Sequence, residues 1–360
     1  MNPKSICRLV IAVLMMMTGT IPACVPATAP NCTDADIFCV GLVTDGGDIR
    51  DRAINQSAWD GISQAKSENI AEWVEYIETT DVREYGKNIA AFAEAGYDVI
   101  VTVSSAMSEA TIAAANTHAD ISFIGVDQLQ EWALDEDPDN DIPNLVGITF
   151  PEEQAGFLMG ALAAMMTTTG QIGAVCSTDF YPPVWRYCEG YREGAAYIDP
   201  EILVDVTYHN DVQVSDAFSD PVWGAETARA MVDQGVDIVF GAGGETASSA
   251  IVAAVQRGAF GLGADFDQYN LLVEASPRLL SSGIKLIAPA VTTLLAKIKI
   301  ALMEGDDQPA GNFPGQVGYA SFHDLDDAVP EEVKNRLEEI QAGLLNGEIE
   351  IGIPTSNLAP

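Results

Sequence analysis

VGLVTDGGDIRDRAINQSAWDG, residues 40–61, decides how the chain is read. The apolar run Ile37–Val43 leads into it and has the length and composition of a buried strand. Asp45-Gly46-Gly47 breaks that run, and Asp48–Arg52 is strongly polar. Ala53, Ile54, Ala58, Trp59 and Ile62 then recur at helical spacing. A first strand therefore delivers a polar, glycine-containing loop to the start of a first helix. In an open parallel sheet, ligands bind at such places, outside the carboxyl ends of the strands.

Working outward, the same unit repeats. Strands are expected at Glu72–Ile77, Asp98–Val103 and Ile121–Val126, and helices at Ala53–Ser67, Arg83–Ala95 and Ser108–Asn116. Gly96 stands where a helix C-cap is expected. This alternation predicts a parallel sheet with helices on both faces. Gln128–Pro143 interrupts it, and Asp135–Asp141 holds five acidic residues around Pro138. The cluster lacks the glycine and the bidentate Glu of an EF-hand loop, so it reads as a solvated loop and not a calcium site.

A second array starts at Asn144. Its strands are expected at Leu145–Phe150, Gln171–Cys176, Ile202–Tyr208, Val236–Phe240 and Phe260–Ala264. Its helices are expected from Pro151 to Ala164 and at Val184–Tyr197, Trp223–Gln234 and Thr246–Arg257. Beyond Asp265 the order changes: strand Leu279–Gly283, helix Ala288–Met303, a turn at Phe313-Pro314-Gly315, strand Gln316–Ala320 and helix Pro330–Asn346. A late return of the chain to the first array accounts for these pieces. The fold class is α/β, with two similar lobes.

The 360 residues suffice for two domains. A net charge of −36, with 17 Lys+Arg against 53 Asp+Glu, excludes nucleic acid as a partner and argues against docking on anionic lipid. The charge speaks first to solubility, in a salty medium among others. Lys4 and Arg8 precede the apolar run Leu9–Met17, the pattern of a secretory signal over residues 1–23. Nine apolar residues are too few to span a bilayer, which takes about 20. Ile21-Pro22-Ala23-Cys24 is similar to a lipobox, which makes Cys24 the lipidated mature N-terminus. Residues 24–36, with Pro26 and Pro30, form an extended tether. Plain secretion with cleavage nearby is the alternative.

Four further cysteines remain: Cys32, Cys39, Cys176 and Cys188. Outside the cytoplasm an even remainder points to disulfides, with buried thiols as the alternative. Nearest-neighbour pairing gives Cys32–Cys39 and Cys176–Cys188, one of three connectivities. No C-x-x-C is present, so no zinc site or thioredoxin-like chemistry is expected.

Catalytic signatures are missing: there is no G-x-S-x-G, H-E-x-x-H or Walker loop, and His118, His209 and His323 are isolated in sequence. Gly241-Ala242-Gly243-Gly244-Glu245-Thr246 fails as a dinucleotide fingerprint because its third glycine would fall on Thr246. It remains a strand-to-helix turn, with Gly243 placed to offer backbone N–H groups to a ligand hydroxyl or carbonyl. Acids and amides recur at strand ends: Asp45, Asn55, Asp127 and Asp265. Carboxylates turned into a cleft accept hydrogen bonds from hydroxyls, which suits the vicinal diol of a ribose or sugar. Trp185, Phe218 and Trp223 are candidates to stack on a base or sugar face, or to pack in the core.

Between Ile37 and Gly347 the chain resembles the basic membrane protein family of bacterial substrate-binding lipoproteins. These serve ABC importers and include purine nucleoside receptors. The landmarks are Thr44–Gly47 with Asn55–Gly61, Phe123–Asp127, Val146–Phe150 before Glu153–Gly156, and Pro182-Pro183-Val184 with Glu189–Arg192. Further ones are Phe240–Gly244, Gly263–Gln268, and Leu280-Ser281-Ser282 with Lys285. The resemblance implies a type I periplasmic-binding fold with two doubly wound parallel-sheet lobes joined by three crossovers. Lobe I is then residues 37–148 plus 284–314, and lobe II residues 149–283 plus 315–360. It implies capture of a small polar ligand by hinge closure, without chemistry, cofactor or metal. A permease and an ATPase are the implied partners of a monomeric, membrane-anchored receptor facing the periplasm or exterior.

By position, Asp45 and Asn55 would meet a nucleoside base, and Asp265 and Lys285 the ribose hydroxyls. Asp127 would line the cleft, and Phe218 would stack. The chain departs from nucleoside-binding members at Ile54, where those carry an aromatic residue before the Asn. Ile54 or Trp185 is then left to cover the base. The alternatives are a sensor of the same fold with a sugar-like or other small solute, and an α/β enzyme.

Overall fold

The structure is a computed structural model that describes residues 30–129 and 142–353. The expected signal, Cys24, most of the tether and the acidic cluster Asp135–Asp141 lie outside the described residues.

Apolar runs in this sequence become strands buried on both faces, as parallel sheets require. β1 (Cys39–Val43), β3 (Val99–Val103) and β4 (Ser122–Val126) are buried at every position. Three helices alternate with the strands: α1 (Ile54–Ser67) after β1, α2 (Tyr85–Glu94) after β2 (Trp73–Ile77), and α3 (Ser108–Thr117) after β3. With β5 (Leu145–Thr149) and β11 (Gly311–Pro314) they form one six-stranded sheet in the order β11-β5-β4-β3-β1-β2. All its pairs are parallel, with Val43 opposite Ile77 and Thr102, and Val126 opposite Ile148.

The second sheet has the order β12-β10-β9-β8-β6-β7. It is built from β6 (Gln171–Cys176), β7 (Leu203–Tyr208), β8 (Ile238–Ala242), β9 (Phe260–Asp265), β10 (Leu279–Lys285) and β12 (Val317–Tyr319). Only the β10–β12 pair is antiparallel. Its helices are α4 (Glu152–Met166), α5 (Pro182–Ile198), the short α6 (Val214–Ala217), α7 (Pro221–Asp233), α8 (Gly244–Gln256) and α10 (Glu331–Leu345). α7 starts where Asp220 accepts a hydrogen bond from Trp223 N at 2.9 Å and Pro221 fills the first turn.

The long α9 (Ile287–Glu304) follows β10 of the second sheet yet packs on α1 of the first. Thr292 Oγ1 donates to Gly61 O at 2.8 Å there. It ends at Gly305, whose φ of 70° is the left-handed C-cap conformation. Three crossovers therefore join the halves: Phe150-Pro151, Leu286 and Gly315-Gln316. They are bonded to one another and to the strands, Leu286 N to Gln316 O at 2.9 Å and Gly315 N to Thr149 O at 2.7 Å.

One element differs in kind from its expectation. Phe313-Pro314-Gly315, expected as a turn, contributes Phe313 and Pro314 to β11, an edge strand beside β5. Pro is tolerated there because an edge strand need not donate on both sides. Both disulfides follow nearest-neighbour pairing, Cys32–Cys39 and Cys176–Cys188.

Candidate functional site

In the first sheet β4, β3 and β1 are neighbours, so Asp127, Ser104 and Asp45 follow one another along its carboxyl edge. In the second, Lys285, Asp265, Gly243 and Ser177 end or follow β10, β9, β8 and β6 in the same way. Contacts between the two edges show that they face each other. Lys285 Nζ lies 2.9 Å from both carboxylate oxygens of Asp127 and 3.3 Å from Asp265 Oδ1. Ser105 Oγ meets Tyr181 OH at 3.3 Å, and Arg52 Nη1 donates to Asn270 O at 2.9 Å.

The backbone is strained where these groups sit. Ser104, Asp127 and Asp265 have φ of 67°, 59° and 67°. Asp tolerates the left-handed region better than most residues. Ser104, with ψ of 151°, occupies a region that is essentially glycine territory. Such strain persists only where the surroundings over-determine it, and it concentrates at functional sites. Gly243, at φ of 107°, has a second constraint: a Cβ there would stand 2.0 Å from Ser177 Oγ.

The Lys285 side chain is 3% exposed, and its charge is held by three carboxylates. The third is Glu152, 2% exposed, with Oε1 at 3.2 Å. Burial alone would lower the Lys285 pKa, but Asp127, Asp265 and Glu152 outweigh it and hold the pKa well above the ordinary lysine value. Asp127 and Asp265, 24% and 35% exposed, keep carboxylate surface open to the cleft. Tyr187 OH accepts from Asp265 N at 3.3 Å, and its phenol is raised well above the usual value by burial and then by Asp265.

Asp45 and Asn55 are together, but Asn55 is already occupied. Its Nδ2 donates to Asp45 Oδ1 at 3.0 Å and to Asp51 Oδ2 at 2.9 Å, while its Oδ1 accepts from Asp45 N at 3.3 Å. Asn55 thus shapes the loop that presents Asp45. Asp51 accepts from Ala53 N at 2.7 Å and Gln56 N at 3.0 Å, supplying the helix-start acceptor that Ala53 lacks. Tyr85 OH fixes the same loop through Asp45 O at 2.6 Å.

Phe218 is half-buried beside Gly244 and meets Tyr181 edge to face at 5.6 Å. Ile54 is half-buried and packs on the core, and Trp185 is half-buried on the first turn of α5. Trp223 stacks on His209 at 4.2 Å, away from the Lys285 cluster by sheet order, since His209 follows edge strand β7. Sequence reading did not single out Asp51, Glu152, Arg186 or Tyr181. Glu152 looked like any acid of a first turn, and its partners come from other elements.

A second concavity, of about 450 Å³, lies behind the crossovers between Phe150, Pro151, Arg186, Pro314, Gly315 and Leu344. None of the residues expected to bind ligand lines it.

Two parallel-sheet lobes, joined by three crossovers and turning polar strand ends toward each other, form a type I periplasmic-binding fold. A family profile described as "ABC transporter substrate-binding protein PnrA-like" matches residues 38–351, and the chain belongs to that family of basic membrane proteins. It is 25% identical to a CD4+ T-cell-stimulating antigen of Listeria monocytogenes, over 87% of this chain and 88% of that one. It is 29% identical to the ABC transporter nucleoside-binding protein BmpA of Lactococcus lactis, over 55% of this chain and 53% of that protein. A solute-binding protein of an ABC transporter system from Aeropyrum pernix has the same fold. The TM-score is 0.64 at 21% identity, over 89% of this chain and 94% of that one.

Proposed function

We propose that this chain captures a nucleoside between its lobes and delivers it to an ABC importer. The observation that carries the reading is the Asp127–Lys285–Asp265 bridge between facing strand ends. It offers carboxylate acceptors and an ammonium donor to adjacent hydroxyls, the pattern a ribose diol presents. The nucleoside-binding relative supports the choice of ligand. Closure about the three crossovers would bring Phe218 and Asp45 onto the base.

Around the strand ends stand Asp45, Asp51, Asp127, Asp265 and Glu152 against the cations Arg52, Lys285 and Arg186. A phosphate would meet excess negative charge, so the ligand is unphosphorylated. Thermal unfolding in the presence of adenosine, inosine, AMP and ribose tests this. A nucleoside at a hundredfold excess over its Kd adds about 2.7 kcal/mol of stability. AMP is expected to give a much smaller shift. Asp265→Ala is expected to weaken nucleoside binding roughly 10–100-fold while the chain stays folded. The reading fails if no nucleoside moves the transition and a different solute class does. Ile54, aliphatic and packed on the core, favours a sugar-like solute as the second reading.

The receptor is proposed to be tethered through lipid on Cys24. Cys24→Ser is expected to move the chain from the membrane fraction to the soluble fraction of the producing cell. Retention of the variant in the membrane fraction would exclude this anchor.

A further inference from the structure

Glu152 is the first residue of α4, directly after the Phe150-Pro151 crossover. Its carboxylate serves two cations from different elements. Oε1 lies 3.2 Å from Lys285 Nζ at the end of β10. Oε2 accepts from Arg186 Nε of α5 at 2.8 Å and is also met by Arg186 Nη2. Both Arg186 nitrogens converge on the one oxygen Oε2 while Lys285 takes Oε1, so the two cations together fix the carboxylate in position and direction.

The three acids around Lys285 are not equivalent. Asp127 and Asp265 keep 24% and 35% of their side-chain surface exposed, whereas Glu152 keeps 2%. An ammonium has three protons to donate. Four carboxylate oxygens lie within 3.3 Å of Nζ. The four oxygens belong to three carboxylates that between them take all three protons, so a hydroxyl entering the cleft can accept from Nζ only if one carboxylate gives up its proton. Asp127 and Asp265 can swing into water or onto the hydroxyl itself. Glu152 is enclosed and clamped by Arg186, so it stays.

We propose that Glu152 is a positioning residue that, clamped by Arg186, holds the Lys285 ammonium at the cleft floor. One proton stays committed to it, and the other two are left for Asp127, Asp265 and the incoming ligand. This rests on the reading of the cleft as a hydroxyl-binding site, and it assigns the site's organisation to a residue that touches no ligand.

The test uses E152Q, E152D, K285M and the double variant E152Q/K285M, each in the full chain. E152Q is expected to weaken adenosine binding about tenfold by calorimetric titration, the worth of one charged hydrogen bond. In the K285M background the same change is expected to alter affinity less than twofold, because its route to the ligand is gone. A purely structural Glu152 would show the full E152Q loss with or without Lys285, and that result overturns the proposal. So does unchanged affinity in a folded E152Q. If E152Q does not fold, E152D, which keeps the charge but shortens its reach, takes its place in the same comparison.

A ligand-free arm separates this idea from the choice of ligand. The chain has only seven lysines, so the Lys285 ammonium signal in a 15N-lysine-labelled sample is assigned by its loss in K285M. In E152Q it is expected to broaden through faster exchange with water. If wild type binds no adenosine, the nucleoside reading falls, and this signal decides alone. A Lys285 resonance equally sharp in wild type and E152Q would overturn the positioning role.

Discussion

Lys285→Met lowers the stability of the chain by about 3 kcal/mol, toward the lower end of the roughly 3–5 kcal/mol range for breaking a buried ion pair. The methionine stem fills nearly the same volume, so packing changes little. What changes is that Asp127, Asp265 and Glu152 lose their shared counter-charge. Glu152 keeps Arg186, and Asp127 and Asp265 retain some exposure to water, which is why the low end is expected. Because the bridge joins a strand end of each sheet, the loss falls on the attachment between the halves as well. Urea unfolding of both chains measures it, and a difference below about 1 kcal/mol would show that water already compensates the bridge.

The alkaline limb provides a second signature of the same bridge. The folded-state pKa of Lys285 is raised, so its contribution is complete below the unfolded value near 10.5 and is lost as pH rises through the higher folded value. Wild type is therefore expected to lose stability above about pH 10.5. That part of the loss vanishes in K285M, which has no ammonium to deprotonate. Above that limb the two chains converge.

The parallel sheets were legible because strands buried on both faces are largely apolar, and β1, β3 and β4 are, with Thr102 and Ser122 the polar exceptions. Once strand ends are placed, Asp45, Asp127 and Asp265 fall at carboxyl termini without further information. The sequence could not show that Asn55 spends its amide on Asp45 and Asp51, because an Asn that shapes a loop and one that meets a ligand look alike. β11 escaped for another reason. Four residues bounded by Gly311 and Pro314 carry no strand pattern of their own, and pairing with β5 makes them one. Glu152 and Arg186 lie 34 positions apart, and only the packing of α4 on α5 joins them. Local pattern thus finds the positions at which groups are presented, and tertiary contact decides which groups are free.

That packing leads to the second large effect. α4 and α5 cross with their backbones in contact, and four glycines make this possible. A Cβ on Gly156 would stand 2.0 Å from Tyr187 O, and one on Gly160 1.9 Å from Tyr191 O. From the other helix, Gly190 would meet Glu153 O at 2.2 Å and Gly194 would meet Phe157 O at 2.0 Å. Each pair is spaced i, i+4, one stripe along its helix. The obstacles are carbonyl groups, which cannot swing aside as a side chain would, so a single methyl must part the helices. Gly160→Ala is therefore expected to destabilise by about 3 kcal/mol, the upper part of the range for overpacking, although alanine regains up to about 1 kcal/mol of helix propensity. Gly86→Ala is the control, because Gly86 lies within α2 with nothing within 4 Å of its Cβ position, and there the same change should be neutral or stabilising. The site should feel Gly160→Ala as well, since α4 begins at Glu152, α5 carries Arg186, and parting the helices pulls that pair away from Lys285. Urea midpoints of the two variants, with adenosine titrations beside them, read both consequences. A Gly160→Ala chain as stable as Gly86→Ala would mean that the crossing yields without cost and does not hold Glu152 in place.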